Sequence, residues 1–169
     1  MSMHDYLERA REFEGVLELA PEEGGPFPEI AWGDHFFYYA PDGQTPQQGQ
    51  PFATFVTKDY PDDALSELDR AGRWRLNIHV GRHRFVSLTG EEPRLSSDNA
   101  GTGTASGSVW DFAATDTVIP HPVYRAQGWI AVVTPSRDSL AVIVSLLEQA
   151  HPDPKRRGPR ITSVPAPCC

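Results

Sequence analysis

Trp74 to Gly81 read WRLNIHVG, an alternation of apolar and polar side chains that runs unbroken to Val80. Successive side chains of an extended strand point to opposite faces. Trp74, Leu76, Ile78 and Val80 therefore share one side, and Arg75, Asn77 and His79 share the other. The pattern predicts a strand with a hydrophobic core on one face and a polar row on the other. Polar groups at every second residue stand ~6.5–7 Å apart along the strand, which suits gripping a ligand carboxylate, phosphate or enolate better than ligating one metal ion.

Upstream of this strand, Phe52 to Lys58 reads as its neighbour, and Tyr60-Pro61-Asp62-Asp63 turns the chain into a short acidic connection. Ile30 to Pro41, IAWGDHFFYYAP, concentrates aromatic residues in a strand entered through a turn at Gly33-Asp34. Alternation places Phe37 with Tyr39 and Phe36 with Tyr38, so one tyrosine is expected near the polar face. Val16 to Leu19 is a further short strand, and Ser2 to Phe13 an amphipathic helix closed by Gly15.

Downstream, Arg82 to Leu88 is expected to form a short helix ended by Gly90, with Phe85 and Leu88 inward. Val118 to Pro122 holds His121 between two prolines in extended backbone. Gly128 to Thr134, GWIAVVT, is a strand apolar enough to be buried on both faces. Ser136 to His151 has the strongest helical pattern, with Ser136 as N-cap, a stripe of Leu140, Ile143, Val144 and Leu147, and Pro152 as its stop. His83 and His151 read as helix-surface residues. Together these elements predict an α+β fold: one domain over residues 1–152, an antiparallel meander sheet covered on one face by N- and C-terminal helices.

The 169 residues suffice for a core without disulfides or a structural metal. The net charge of −8 opposes nucleic acid as a partner. The two cysteines are Cys168 and Cys169, placed neither to staple a core nor to complete a spaced metal motif. The N-terminal residues lack a signal-peptide pattern, and no stretch approaches the ~18 apolar residues of a membrane span, so a cytoplasmic protein is expected. Glu91 to Ser108 has no apolar period and reads as a mobile loop, either a lid or a disordered segment. The proline-rich residues 153–169 read as a disordered tail.

The order of elements, with HPVYRAQGWIAVVTP leading into the last helix, resembles the YjbR/MmcQ-like α+β fold and the related luciferase-like domains of unknown function. The segments PEIAWGDHFFYYAPDG, PFATFVTKDYPDD and LDRAGRWRLNIHVG are similar to an uncharacterised bacterial family of this length. The first resemblance implies the fold. The DNA-binding role suggested for YjbR-like proteins is opposed by the acidity of this chain, and neither resemblance carries a set of catalytic residues onto these positions.

His79, His35 and Asp34 are the candidate catalytic residues, because imidazole exchanges protons near neutral pH and an adjacent carboxylate supports its charged form. Arg75 and Lys58 are candidates for charge stabilisation, Asn77 and Tyr38 for orientation, and His121 and Trp129 for further substrate contacts. The plainer readings are a turn residue for His35, a solvated strand end for Lys58 and core or rim packing for the aromatics. His35, His79 and His121 with Asp34 would form a metal site only by convergence in space, since no local ligand spacing is present. No nucleophile elbow occurs, and no glycine-rich strand-to-helix turn calls for a nucleotide cofactor.

The expected function is a small-molecule-binding protein or cofactor-free acid/base enzyme acting on a natural-product-like metabolite. Its pocket would lie between the polar sheet face and the 91–108 loop. The alternatives are an interaction or accessory protein using that face, and a His-rich metal-dependent enzyme. A homodimer is compatible with each.

Overall fold

A computed structural model describes residues 2–46, 49–92 and 110–152. Nearly all of the expected 91–108 loop and the whole of the 153–169 tail lie outside the described residues.

The elements in order are α1 (Met3–Arg11), β1 (Val16–Leu19), a 3-10 turn (Glu29–Ala31), β2 (His35–Tyr39), β3 (Ala53–Val56), β4 (Arg75–His79), α2 (Gly81–Thr89), β5 (Val118–Pro120), a second 3-10 turn (Arg125–Gln127), β6 (Trp129–Val133) and α3 (Leu140–Ala150). The strands form one sheet in the order β1-β2-β3-β4-β6-β5, with every named pair antiparallel. The first four strands are a meander. The chain then crosses through α2, returns as the edge strand β5 and places β6 between β5 and β4, so all of Trp129–Val133 is buried.

One face of the sheet carries the larger core. Phe37, Ala53, Phe55, Leu76, Ile78, Ile130 and Val132 meet Tyr6, Leu7 and Ala10 of α1, Phe85 of α2 and Ile143, Leu146, Leu147 and Ala150 of α3. Each fully buried large side chain contributes roughly 1.5–3 kcal/mol. That packing is what holds α1 and α2, because isolated helices below about 12–15 residues are marginal in water. The helix cover thus includes α2 as well as the two terminal helices.

Two expectations about the last helix need correction. α3 begins at Leu140 with Ser139 as N-cap, not at Ser136. The Ser136 hydroxyl instead accepts the Asp138 N–H at 3.1 Å, and the Ser136 N–H donates to the Asp116 carboxylate at 2.7 Å. A serine that satisfies a local turn in this way ends the extended chain before the helix starts. His151 is not a surface residue but is 1% exposed, enclosed by the rings of Phe13, Tyr39 and Phe52. Helical periodicity stops at the C-cap, so it carried no information about the direction in which His151 points.

Gly128 fixes the geometry between the helix layer and the opposite face. It has φ +81°, and its carbonyl accepts the N–H groups of Val80 at 3.1 Å and Gly81 at 3.2 Å. A Cβ here would lie 2.7 Å from the Gly81 carbonyl carbon, so only glycine permits this approach. The contact locks the end of β4 beside the start of β6 and sets the position of Trp129.

The other face is partly covered. A second cluster of Val56, Leu68, Phe112, Ile119, Ala131 and Val133 covers part of it, supplied by β3, β5, β6 and the segments joining them. The polar row of β4 lies between this cluster and the aromatic side chains of β2.

Candidate functional site

Arg75 and Asn77 are 1% and 3% exposed, as buried as the leucine and isoleucine between and beyond them. A buried guanidinium requires acceptors, and the Tyr60–Asp63 turn supplies them. Tyr60 and Asp63 exchange backbone hydrogen bonds of 3.2 and 2.9 Å, which swings the Asp63 carboxylate over β4. Arg75 Nη1 donates to Asp63 Oδ1 at 2.9 Å and to Ser66 Oγ at 2.9 Å, while Nη2 donates to Asp63 Oδ2. Nε donates to Asn77 Oδ1 at 2.8 Å, and Asn77 Nδ2 donates to Thr54 Oγ1 at 3.0 Å. This is a forked, charge-assisted pair continued from the Asp63–Ser66 connection through β4 to β3. Four of the five N–H groups of Arg75 are therefore taken up within the fold, and its charge is already matched by Asp63.

His121 adjoins this network, its Nε2 3.4 Å from Arg75 Nη2. Its Nδ1 accepts the backbone N–H groups of Val123 and Tyr124, both at 3.1 Å. A nitrogen facing two N–H donors carries no proton, so the neutral ring holds its hydrogen on Nε2. Burial, and next the charge of Arg75, hold the imidazole pKa well below 6.5. His121 is consequently a neutral hydrogen-bond donor near pH 7 rather than a general base.

Above Thr54, Arg75, Asn77 and His121 lies a cavity of about 350 Å³, within the size range of small-molecule sites. Its walls include Phe36, Tyr38, Val56, Tyr60, Tyr124 and Trp129, with Asp62 and Val123 also lining it. Phe36 and Tyr38 point here because they alternate with Phe37, which enters the helix-side core. Burial raises the pKa of the Tyr38 phenol. Burial, followed by its hydrogen bond to Asp34, pushes that of Tyr60 up further, so both remain protonated at neutral pH.

Five of the residues singled out from sequence are brought together here: Arg75, Asn77, Tyr38, His121 and Trp129. The other four do not line the cavity. His79 ends β4 with Nε2 3.0 Å from the Gln127 carbonyl and its ring 5.3 Å from that of Trp129. His35 lies on the helix side of the sheet, its Nδ1 2.7 Å from Glu18, which Arg11 also holds at 2.6 and 2.8 Å. Asp34 is fully buried and accepts from the Thr57 N–H and hydroxyl, each at 2.8 Å, and from the Tyr60 hydroxyl at 2.6 Å. It positions a wall of the cavity without forming part of it. Lys58 donates to the carbonyls of Ile30, at 3.2 Å, and Trp32.

The convergence of His35, His79 and His121 required for a metal site does not occur. Among the described residues no three His, Cys, Asp or Glu side chains are grouped to hold a metal ion. Sequence reasoning missed Thr54, Tyr60, Asp63, Ser66 and Tyr124. Thr54 was accessible through strand register, since it pairs with Asn77. Asp63 carried only a turn signal, and its pairing with Arg75 depends on how the intervening chain folds back.

Among the described residues no helix is long and apolar enough to cross a membrane. No curated protein and no solved structure matches the chain. A family profile spans residues 1–163, and the chain accordingly belongs to DUF6194, a family of unknown function.

Proposed function

We propose that this protein binds a small, flat, largely apolar molecule in the cavity on the polar side of β4. The observation that carries the reading is a buried hydrogen-bonded floor beneath an aromatic wall in a space of about 350 Å³. Rings suit the walls, and the few converging polar groups orient a ligand that the apolar surface holds. Binding is favoured over acid/base turnover because His79 and His35 lie elsewhere, while the proton-free nitrogen of His121 is already occupied by two N–H groups. Burial of Arg75 and Asn77 counts against this face docking another protein chain.

The ligand class fits a natural-product-like metabolite. The net charge of −8 supports a protein that leaves nucleic acid alone, and we place it in the cytoplasm. The meander, the crossover through α2 and the closing helix support kinship with YjbR/MmcQ-like folds.

The test is a titration of the ¹⁵N-labelled full chain with indole and with 2-naphthol, followed by amide and indole N–H shifts. Saturable shifts centred on Thr54, Asn77, His121 and Trp129 are expected. Shifts spread over the helix layer, or none with either probe, would overturn the reading.

A further inference from the structure

Four of the five N–H groups of Arg75 end on acceptors: two on Asp63, one on Ser66 and one on Asn77. The fifth, on Nη2, is directed toward His121 Nε2 at 3.4 Å. With Nδ1 of that ring held as an acceptor by Val123 and Tyr124, Nε2 is itself a donor. Two N–H donors thus face one another in the cavity floor. Asp63 Oδ2 cannot serve both, because it lies 3.9 Å from His121 Nε2, beyond hydrogen-bond reach. Arg75 and His121 are each more than nine-tenths buried, so the unmet demand is for an acceptor that enters through the cavity. An oxygen about 2.9 Å from each nitrogen satisfies both.

The charge of that oxygen follows from its surroundings. Asp63 already neutralises Arg75, His121 is uncharged, and Asp62 lines the same cavity. A carboxylate entering here would be a buried anion without a counter-charge of its own. We infer that the cavity recognises a neutral carbonyl oxygen on a ring system, shared between Arg75 Nη2 and His121 Nε2. The inference rests on the cavity being a ligand site, and it adds the ligand's polar group and the direction from which that group is held.

The test compares three matched probes on the unmodified full chain: 2-acetonaphthone, 2-ethylnaphthalene and 2-naphthoate. Long-range ¹H–¹⁵N spectra of His121 are recorded alongside. The expected result is a neutral ring with bare Nδ1, an Nε2–H resonance that moves downfield only with the ketone, and a ketone affinity about tenfold above both analogues. A proton on Nδ1, a charged ring at pH 7, or equal affinity for ketone and hydrocarbon would overturn the carbonyl assignment while leaving the cavity as a binding site. Preference for 2-naphthoate would overturn the charge argument. Binding of none of the three, where indole or 2-naphthol binds, would overturn this inference alone; if those two also fail, the proposed function falls with it.

Discussion

On the helix side of β4, Leu76 and Ile78 are fully buried among the rings and branched chains of α1, α2 and α3. On the other side Arg75 and Asn77 are buried almost as deeply, held by Asp63, Ser66 and Thr54. The first face gains its free energy from non-directional contact, so another side chain of similar volume can replace the original. The second must give each buried polar atom a partner in the right direction, because an unmet one costs about 1–3 kcal/mol. A face organised in that way is poor at tolerating change and well suited to recognising one arrangement of polar atoms.

The comparison can be broken most forcefully at Arg75. Arg75→Met leaves the Asp63 carboxylate, whose side chain is 10% exposed, without its counter-charge and is expected to cost about 3–5 kcal/mol in urea unfolding. Adding Asp63→Leu should recover much of that loss. Leu76→Ala on the other face should cost about 2–5 kcal/mol, with no second substitution of a polar partner able to restore it. Equal recovery on both faces would erase the distinction.

A smaller effect comes from acid. The unfolded chain protonates His121 near pH 6.5 while the native chain resists, so below that pH the unfolded state binds more protons and the native state loses stability. The expected slope reaches about 1.4 kcal/mol per pH unit below pH 6.5, read from urea midpoints between pH 7.5 and 5.5, and His121→Gln should flatten it. Glu18 acts lower on the scale. Burial raises its pKa, but the bonds from Arg11 and then His35 outweigh that, so its contribution is lost only as pH falls below about 4.5. An unchanged slope in His121→Gln would show that the ring is free to charge in the native state.

The smallest effect is expected at the end of the strand. His79→Ala should cost about 1 kcal/mol or less and leave 2-acetonaphthone affinity within about twofold of the parent. A tenfold loss of affinity with unchanged stability would return His79 to the site.

Much of the sheet was legible because alternation is a local property. WRLNIHVG placed Leu76 and Ile78 in the core, and HFFYY separated Phe37 from Tyr38, by period two alone. The site was only partly legible for the same reason. Periodicity assigns a side chain to a face, so it grouped His79 with Arg75, yet it says nothing about what the connecting chain lays over that face. The pairing of Asp34 with His35 in sequence was misleading, since neighbours on extended backbone point apart and the sheet separates them.

The sequence by itself determined the α+β class, the strand that divides core from polar row, and an acidic chain with no motif for a nucleotide or a spaced metal site. The tertiary structure alone decided that the polar row is buried, that Asp63 answers the charge of Arg75, and that the His121 ring lies beside that guanidinium. Those outcomes depend on contacts between Asp63 and Arg75 and between Arg75 and His121, residues far apart in the chain. Hydrogen-bond geometry and desolvation act through space, and only the folded chain brings these groups within their reach.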